Sequence, residues 1–254
     1  MLALRQAHLV SKLRARVRQI ERFERSRANA LPFGVQALDE RLPDGGLTLG
    51  ALHEVAGGGL GAVHGAAAAM FVAGMLARLP GSVLWCIKSQ DLFAPALAGA
   101  GLHPDRVIYV EAEDEKTILL AVEEGLRHGG LAGVVGEVRR LPMIASRRLQ
   151  LAAESSGVAA WIIRRWRSPA DATEYGTPTA SASRWRVTAL PSTPLASPGV
   201  GRARWQVELV RCRGGDGATW ELEACDAQGR LAQPADLADR SAASGGWDRR
   251  AAAG

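Results

Sequence analysis

The chain has 254 residues, 47% of them hydrophobic and 22% charged, which is enough for one sizeable core in one domain with appendages. No run is long and apolar enough to span a bilayer and the charged start does not resemble a signal peptide, so we exclude a membrane protein and expect a cytoplasmic one. The three cysteines, Cys86, Cys212 and Cys225, form no CxxC pair, which predicts reduced thiols and no structural zinc or other metal site.

The formal net charge of +5 is concentrated in residues 1–27, which contain eight basic and two acidic side chains. An apolar stripe at helical spacing predicts a basic amphipathic helix over residues 1–30. The stripe consists of Leu9, Leu13, Val17 and Ile20. Two interpretations stay open: the stripe binds the chain's own domain or a protein partner, or the arginines contact DNA or an acidic partner.

Residues 31–230 are predicted to form the main domain, because strand-like and helix-like segments alternate along them. Strands are predicted at residues 51–55, 82–87, 106–112, 131–138 and 158–166. Helices are predicted at residues 91–100, 115–128 and 142–155. This alternation predicts an α/β fold with a mostly parallel sheet covered by helices on both faces.

The pattern changes after Trp166. Residues 168–183 are rich in Pro, Ser, Thr and Ala, which predicts a mobile loop. The runs "RARWQVELVRCR" and "ATWELEAC" are joined by "GGDG" and predict a C-terminal antiparallel hairpin. Residues 231–254 are small and polar, so we expect a flexible tail.

The stretch "LHEVAGGGLGAVHGAAAAMF", Leu52 to Phe71, has the layout of a phosphate-binding loop, a strand that enters a glycine-rich turn and leaves as a helix. With Gly57 as the first glycine of GxxxxGK[ST], and Gly58, Gly59 and Gly61 between, the last three positions hold other residues. Ala62 replaces the second glycine, Val63 the lysine and His64 the hydroxyl. Each missing charge-assisted hydrogen bond removes about 1.5–3 kcal/mol, so we predict a degenerate P-loop and no nucleotide cofactor.

The segment "GVQALDERLPDGGLTLGALHEVAG" resembles the start of the RecA/RadA core. More narrowly, the chain resembles the ImuA family over about residues 5–240, through the order and spacing of several motifs. These are the degenerate loop, "LHPDRVIYVEAEDEKTILLAVEEGLR", "GVVGEVRRL", "RRLQLAAESSG" and "GRARWQVELVRCRGG". The resemblance implies a RecA-like core with a basic N-terminal helix.

The resemblance also implies a function. It suggests a non-enzymatic accessory protein of the SOS response to DNA damage, acting in translesion synthesis with an ImuB-like Y-family protein and an error-prone C-family polymerase. RecA, a second copy of the chain and single-stranded DNA stay open as further partners. Two rival functions are a residual nucleotide-binding recombinase regulator and a cell-division inhibitor.

The parts that a RecA-type ATPase uses for hydrolysis are also missing. The region where such an enzyme places its catalytic glutamate reads "WCIKSQDL" here, with Lys88, Ser89 and Gln90. Glu137 ends a predicted strand where a magnesium-linked aspartate is usual, but one carboxylate does not make a site. We therefore predict that the chain is not an enzyme.

Arginines next to tryptophans mark a candidate surface for single-stranded DNA at the carboxyl edge of the sheet. They flank the predicted loop and comprise Arg164, Arg165, Trp166, Arg167, Arg184 and Arg186. The alternative is that the strand tryptophans Trp161, Trp185, Trp205 and Trp220 belong to the core. Trp166 is the better candidate for stacking on a base, and His64 is expected to be structural.

Overall fold

The computed structural model describes residues 29–166, 168–192, 199 and 201–234. The predicted N-terminal helix with Leu9, Leu13, Val17 and Ile20 therefore lies outside the described residues, as do Arg167 and residues 235–254 of the predicted tail. Among the helices in the described ranges, none has the length and apolarity needed to cross a bilayer.

Ten strands and six α-helices make up the described chain. The strands are β1 (Ala30–Leu31), β2 (Leu47–Thr48), β3 (Leu52–Gly57), β4 (Val83–Ile87), β5 (Val107–Glu111), β6 (Gly133–Val138), β7 (Ala159–Arg164), β8 (Ser183–Leu190), β9 (Arg204–Cys212) and β10 (Ala218–Glu223). The helices are α1 (Gln36–Asp39), α2 (Ala62–Ala77), α3 (Ala94–Gly99), α4 (Glu115–His128), α5 (Met143–Ser156) and α6 (Pro169–Glu174), and a 3-10 turn covers Pro104–Arg106.

The main sheet has eight strands in the order β10-β9-β8-β3-β7-β6-β4-β5. The six strands from β8 to β5 run parallel, and β9 and β10 continue the sheet as an antiparallel hairpin. The predicted mostly parallel sheet and C-terminal hairpin are thus confirmed. The glycine-rich stretch begins in β3, which is central, with β7 on one side and β8 on the other.

Helices cover both faces of the parallel part, and each face has its own core. Successive side chains of a strand point to opposite faces. In β7, Trp161 and Ile163 join the core that includes α2, while Ala160 and Ile162 join the core that includes α4 and α5. The first core is rich in aromatic rings, and Trp161, Trp185 and Trp205 are buried in it, as the core interpretation predicted.

Helix α4 has the bounds that the sequence predicted, because both of its ends have strong local signals. The Asp114 carboxylate accepts a hydrogen bond from the backbone N–H of Thr117 at 2.7 Å. At the other end, Gly129 adopts the left-handed conformation at φ 71°. An acidic N-cap is a standard start signal of a helix, and a left-handed glycine is a standard stop signal.

The prediction of a mobile loop at residues 168–183 is wrong. Ser168 and Asp171 form a capping box that begins helix α6. Tyr175, Thr179 and Ser181 are buried, and the Tyr175 hydroxyl donates to the carbonyl of Trp185 at 2.5 Å. The small polar residues of this segment therefore satisfy groups inside the protein.

Candidate functional site

A cleft of about 550 Å³ opens at the carboxyl ends of β3 and β7, where an open α/β sheet normally binds its ligand. One wall is the glycine-rich loop and the start of α2. The other walls are residues 91–97, at the start of α3, and residues 164–166, at the end of β7. The cleft is thus in the position predicted for the degenerate phosphate loop.

The glycines of this loop pack closely against the protein itself. A Cβ at Gly58 would lie 1.6 Å from Oγ1 of Thr188, and a Cβ at Gly59 would lie 3.0 Å from the His64 ring. Nδ1 of His64 accepts a hydrogen bond from the backbone N–H of Ala189 at 3.2 Å, which ties the start of α2 to β8. His64 therefore has the structural contact that the sequence led us to expect.

Exposed apolar side chains lie on the loop and on the wall opposite it. Leu60 and Phe93 line the cleft and are 51% and 69% exposed, and Val63, next to the loop, is 64% exposed. Val63, at the lysine position, faces solvent and offers neither a charge nor a donor to a phosphate.

An arginine of the chain connects the carboxylates at this edge. Glu137, at the end of β6, is buried, and its carboxylate accepts from the indole N–H of Trp85 at 2.8 Å. Arg165 pairs with Glu137 at 3.2 Å and also with Asp91. Burial raises the pKa of Glu137, while the charge of Arg165 and the bond from Trp85 oppose that rise. An internal guanidinium thus faces the carboxylate that a magnesium ion would otherwise approach.

A second ionic cluster lies inside the sheet, around Glu54 of β3. Glu54 is completely buried and pairs with Arg164 of β7 at 2.9 Å and with Arg184 of β8 at 3.1 Å. Ser181 and Thr179 donate to the same carboxylate. The expectation that Arg164 and Arg184 contact DNA is therefore corrected, because buried guanidiniums paired with a carboxylate do not reach a phosphate.

Tyr175 lies between the Glu54 cluster and the cleft. The guanidinium carbons of Arg164 and Arg184 lie 5.6 Å and 5.0 Å from the centre of its ring, at cation–π distance. Trp166 meets the same ring edge-on at 5.4 Å. Trp166 is partly buried and lines the cleft. Its indole N–H has no hydrogen-bond partner in the described structure.

The chain is similar to proteins named ImuA from two strains of Caulobacter vibrioides. Each is 40% identical to it over 218 residues, which are 82% of this chain and 88% of the relative. The chain belongs to the ImuA family. No family model matches the chain.

The fold of this ImuA family member is RecA-like. The crystal structure of the RadB recombinase superposes with a TM-score of 0.55 at 19% identity, covering 81% of this chain and 100% of that one. This similarity confirms the predicted fold class. At such low identity it shows the fold alone.

The other predicted site residues have different outcomes in this member of the ImuA family. Arg165 lines the cleft but is engaged in ion pairs, and Trp166 is the aromatic side chain that remains at the edge. Arg186 pairs with Glu208 of β9 at 3.0 Å and is partly exposed. Among the described residues, no group of three or more His, Cys, Asp or Glu side chains could hold a metal ion.

Sequence reasoning missed Glu54 and Tyr175 as the organising residues of this region. Glu54 lies in a mostly apolar strand, LHEVAG, and a charge at such a position signals a buried partner. That signal was present in the sequence. The identity of the partners was not, because they are separated from Glu54 by 110 and 130 residues.

Proposed function

We propose that this chain is a non-enzymatic accessory protein in SOS-induced, error-prone translesion DNA synthesis. It acts with an ImuB-type Y-family-like protein and an error-prone C-family polymerase. The observation that carries the proposal is the 40% identity with proteins named ImuA over most of both chains. In this role the chain positions other proteins at damaged DNA and contributes no chemistry.

The arrangement of the cleft supports a role without ATP turnover. Val63 stands where the lysine would meet the phosphates, and Thr188 and His64 occupy the space next to the loop glycines. Arg165 neutralises Glu137 from within the chain. A phosphoryl-transfer site needs a cationic loop, a metal-binding group and a residue that positions water. The missing lysine, the pairing of Glu137 with Arg165 and the lack of a glutamate at Lys88–Gln90 each argue against hydrolysis.

A genetic experiment tests the proposed function. Deletion of the gene is expected to lower the frequency of damage-induced mutations, and expression of the wild-type chain is expected to restore it. A chain with Val63→Lys and His64→Thr is expected to show no ATP hydrolysis, because the glutamate needed near Ser89 is still missing. An unchanged mutation frequency in the deletion strain would refute the proposal, and a change in cell length alone would favour a division inhibitor.

A biochemical experiment separates this proposal from a nucleotide-binding regulator. The purified full chain is titrated with ATP and magnesium, and heat release is recorded. We expect no saturable binding below the millimolar range. Several charged groups that would bind the phosphates are absent, and each loss of about 1.4 kcal/mol of binding free energy weakens the affinity tenfold. Magnesium-dependent binding in the micromolar range would favour the regulator.

A further inference from the structure

The outer surface of α4 and α5 carries exposed apolar side chains that do not line the cleft. Leu120 of α4 is 48% exposed, and Ile144 and Leu151 of α5 are 75% and 64% exposed. Ile144, Arg148 and Leu151 are spaced four and three residues apart, which puts them on one face of the helix. An isolated exposed leucine is ordinary, but several on neighbouring helices indicate a contact surface.

A groove of about 280 Å³ lies between these two helices. Leu119 and Leu120 line it from α4, and Ala145 and Leu149 line it from α5. Arg148 also lines the groove, so the stripe that contains Ile144 and Leu151 borders it. The groove therefore has an apolar floor, and the exposed apolar side chains Ile144 and Leu151 lie on the surface beside it.

The charged residues of the groove favour an acidic occupant. Its two carboxylates are already engaged: Glu115 pairs with Arg139 at 2.9 Å, and the buried Glu123 pairs with both Arg127 and Arg148. Two arginines on one carboxylate leave a surplus positive charge.

Two more cations border the same surface. Lys116 lines the groove and Arg147 is exposed on α5 beside Arg148. A partner segment that brings carboxylates to this rim therefore meets complementary charge.

We propose that this groove docks an acidic amphipathic segment of a protein partner. The apolar side chains of that segment lie between α4 and α5, and its carboxylates face Lys116, Arg147 and Arg148. Residues 1–27 of the chain itself have apolar spacing of the right kind, but their eight basic and two acidic side chains would be repelled by the rim. The proposal rests on the adaptor role proposed above and names the chemistry of the partner. Peptide binding by the purified chain can still be measured independently of that role.

The test uses the full-length chain and three fluorescein-labelled designed helical peptides of about 20 residues. The first has leucines on one face and glutamates beside them, the second has lysines in place of the glutamates, and the third has serines in place of the leucines. By fluorescence anisotropy we expect saturable binding of the first peptide that weakens with added salt. The other two are expected to bind at least tenfold more weakly.

Variants of the chain locate the binding. Ile144→Ser with Leu151→Ser should weaken binding of the acidic peptide at least tenfold, and Lys116→Glu with Arg147→Glu should transfer the preference to the lysine peptide. The matched control is Leu60→Ser with Phe93→Ser, two side chains of similar exposure at the cleft, which should leave binding unchanged. All substitutions are at exposed positions, and thermal unfolding checks that each variant is folded.

Four outcomes would overturn the proposal. The groove variants bind like the wild type, or the lysine peptide binds as tightly as the acidic one. The wild type self-associates in sedimentation and Ile144→Ser with Leu151→Ser abolishes it, which makes a second copy the occupant. Removal of residues 1–28 raises peptide affinity tenfold, which makes that segment the occupant.

The groove and the adaptor role can fail separately. If the groove variants lose peptide binding as expected, but deletion of the gene leaves damage-induced mutagenesis unchanged, the adaptor role is refuted and the proposed groove is supported.

Discussion

Two neighbouring arginines at the end of β7 have opposite environments. Arg164 is 1% exposed at its side chain and pairs with Glu54 inside the sheet, while Arg165 is 25% exposed and joins Glu137 to Asp91 at the rim of the cleft. The first pair joins β7 to β3, and Glu54 also joins β8 through Arg184. The pairs of Arg165 fill a place where a ligand could have been bound. Adjacent residues of one type thus have different roles, because Arg164 is the last residue of β7 and faces the buried Glu54, while Arg165 follows the strand and lies at its edge.

The largest expected effect is at the buried cluster. Glu54→Gln keeps the shape of the side chain but leaves Arg164 and Arg184 buried without a countercharge, so we expect the free energy of unfolding to fall by about 3–5 kcal/mol. Urea denaturation of the purified chain measures it. The control is Glu208→Gln, whose partly exposed pair with Arg186 is expected to contribute about 0–1 kcal/mol. Equal decreases in the free energy of unfolding of the two variants would show that the buried ion pairs contribute no more than the partly exposed pair.

At the rim, Arg165→Met should lower the free energy of unfolding by about 1–3 kcal/mol at pH 8. Burial already raises the pKa of Glu137 above its ordinary 4.5, and loss of the cation raises it further. A raised pKa of this carboxyl contributes stability below 4.5 that is lost as pH rises through the folded-state pKa. The deficit of the variant should therefore shrink from pH 8 towards pH 5.

Urea denaturation at the two pH values gives the result, and a double variant provides the control. Arg165→Met combined with Glu137→Gln removes the charge that needs the arginine, so the pH dependence of the deficit should disappear. A deficit that stays constant with pH in the single variant would show that Arg165 acts through packing or through Asp91 instead.

The loop glycines give a third test. Gly58→Ala is expected to lower the free energy of unfolding by about 1–3 kcal/mol, because the new methyl group would overlap Thr188. Gly65→Ala, in helix α2, has nothing within 4 Å and should raise stability by about 0.5–1 kcal/mol. Thermal unfolding of both variants measures these changes. A stability loss in Gly58→Ala alone would show that the loop at Gly58 packs against Thr188.

The smallest effect is expected for DNA. Trp166→Ala should weaken binding of a labelled single-stranded oligonucleotide by about 1 kcal/mol at each of three salt concentrations, because stacking releases no counterions. Removal of residues 1–27 should instead flatten the salt dependence, by about 0.7 in log–log slope for each phosphate that the shortened chain no longer neutralises. Anisotropy titrations measure both. No binding at low salt would assign the basic residues to protein partners.

The sequence predicted most reliably those elements whose signals are local. Asp114 and Gly129 bound helix α4, and Asp216-Gly217 marks the turn between the last two strands. Helix α6 has an equally local signal, the Ser168–Asp171 capping box, but the surrounding Pro, Ser, Thr and Ala residues favoured a loop. A local motif therefore outweighs the composition around it.

The environments of the arginines were not predictable in the same way. Whether Arg164 meets water or Glu54 depends on which strands become neighbours, and the sequence alone does not give strand order. The position of the cleft was predictable, since it follows from the end of β3. Its apolar rim depends on how residues 91–97 return to the loop.

The central position of β3 has a consequence during synthesis. Leu52 of β3 pairs with Ala160 of β7, and His53 of β3 pairs with Ser183 of β8. Both partners come more than a hundred residues later in the chain. At about 5–20 residues per second, a ribosome needs roughly 5–20 s to produce the first of these partners. Throughout that time the carboxylate of Glu54 and the apolar side chains around it stay unpaired, so the nascent chain is open to aggregation and to chaperones until β7 emerges.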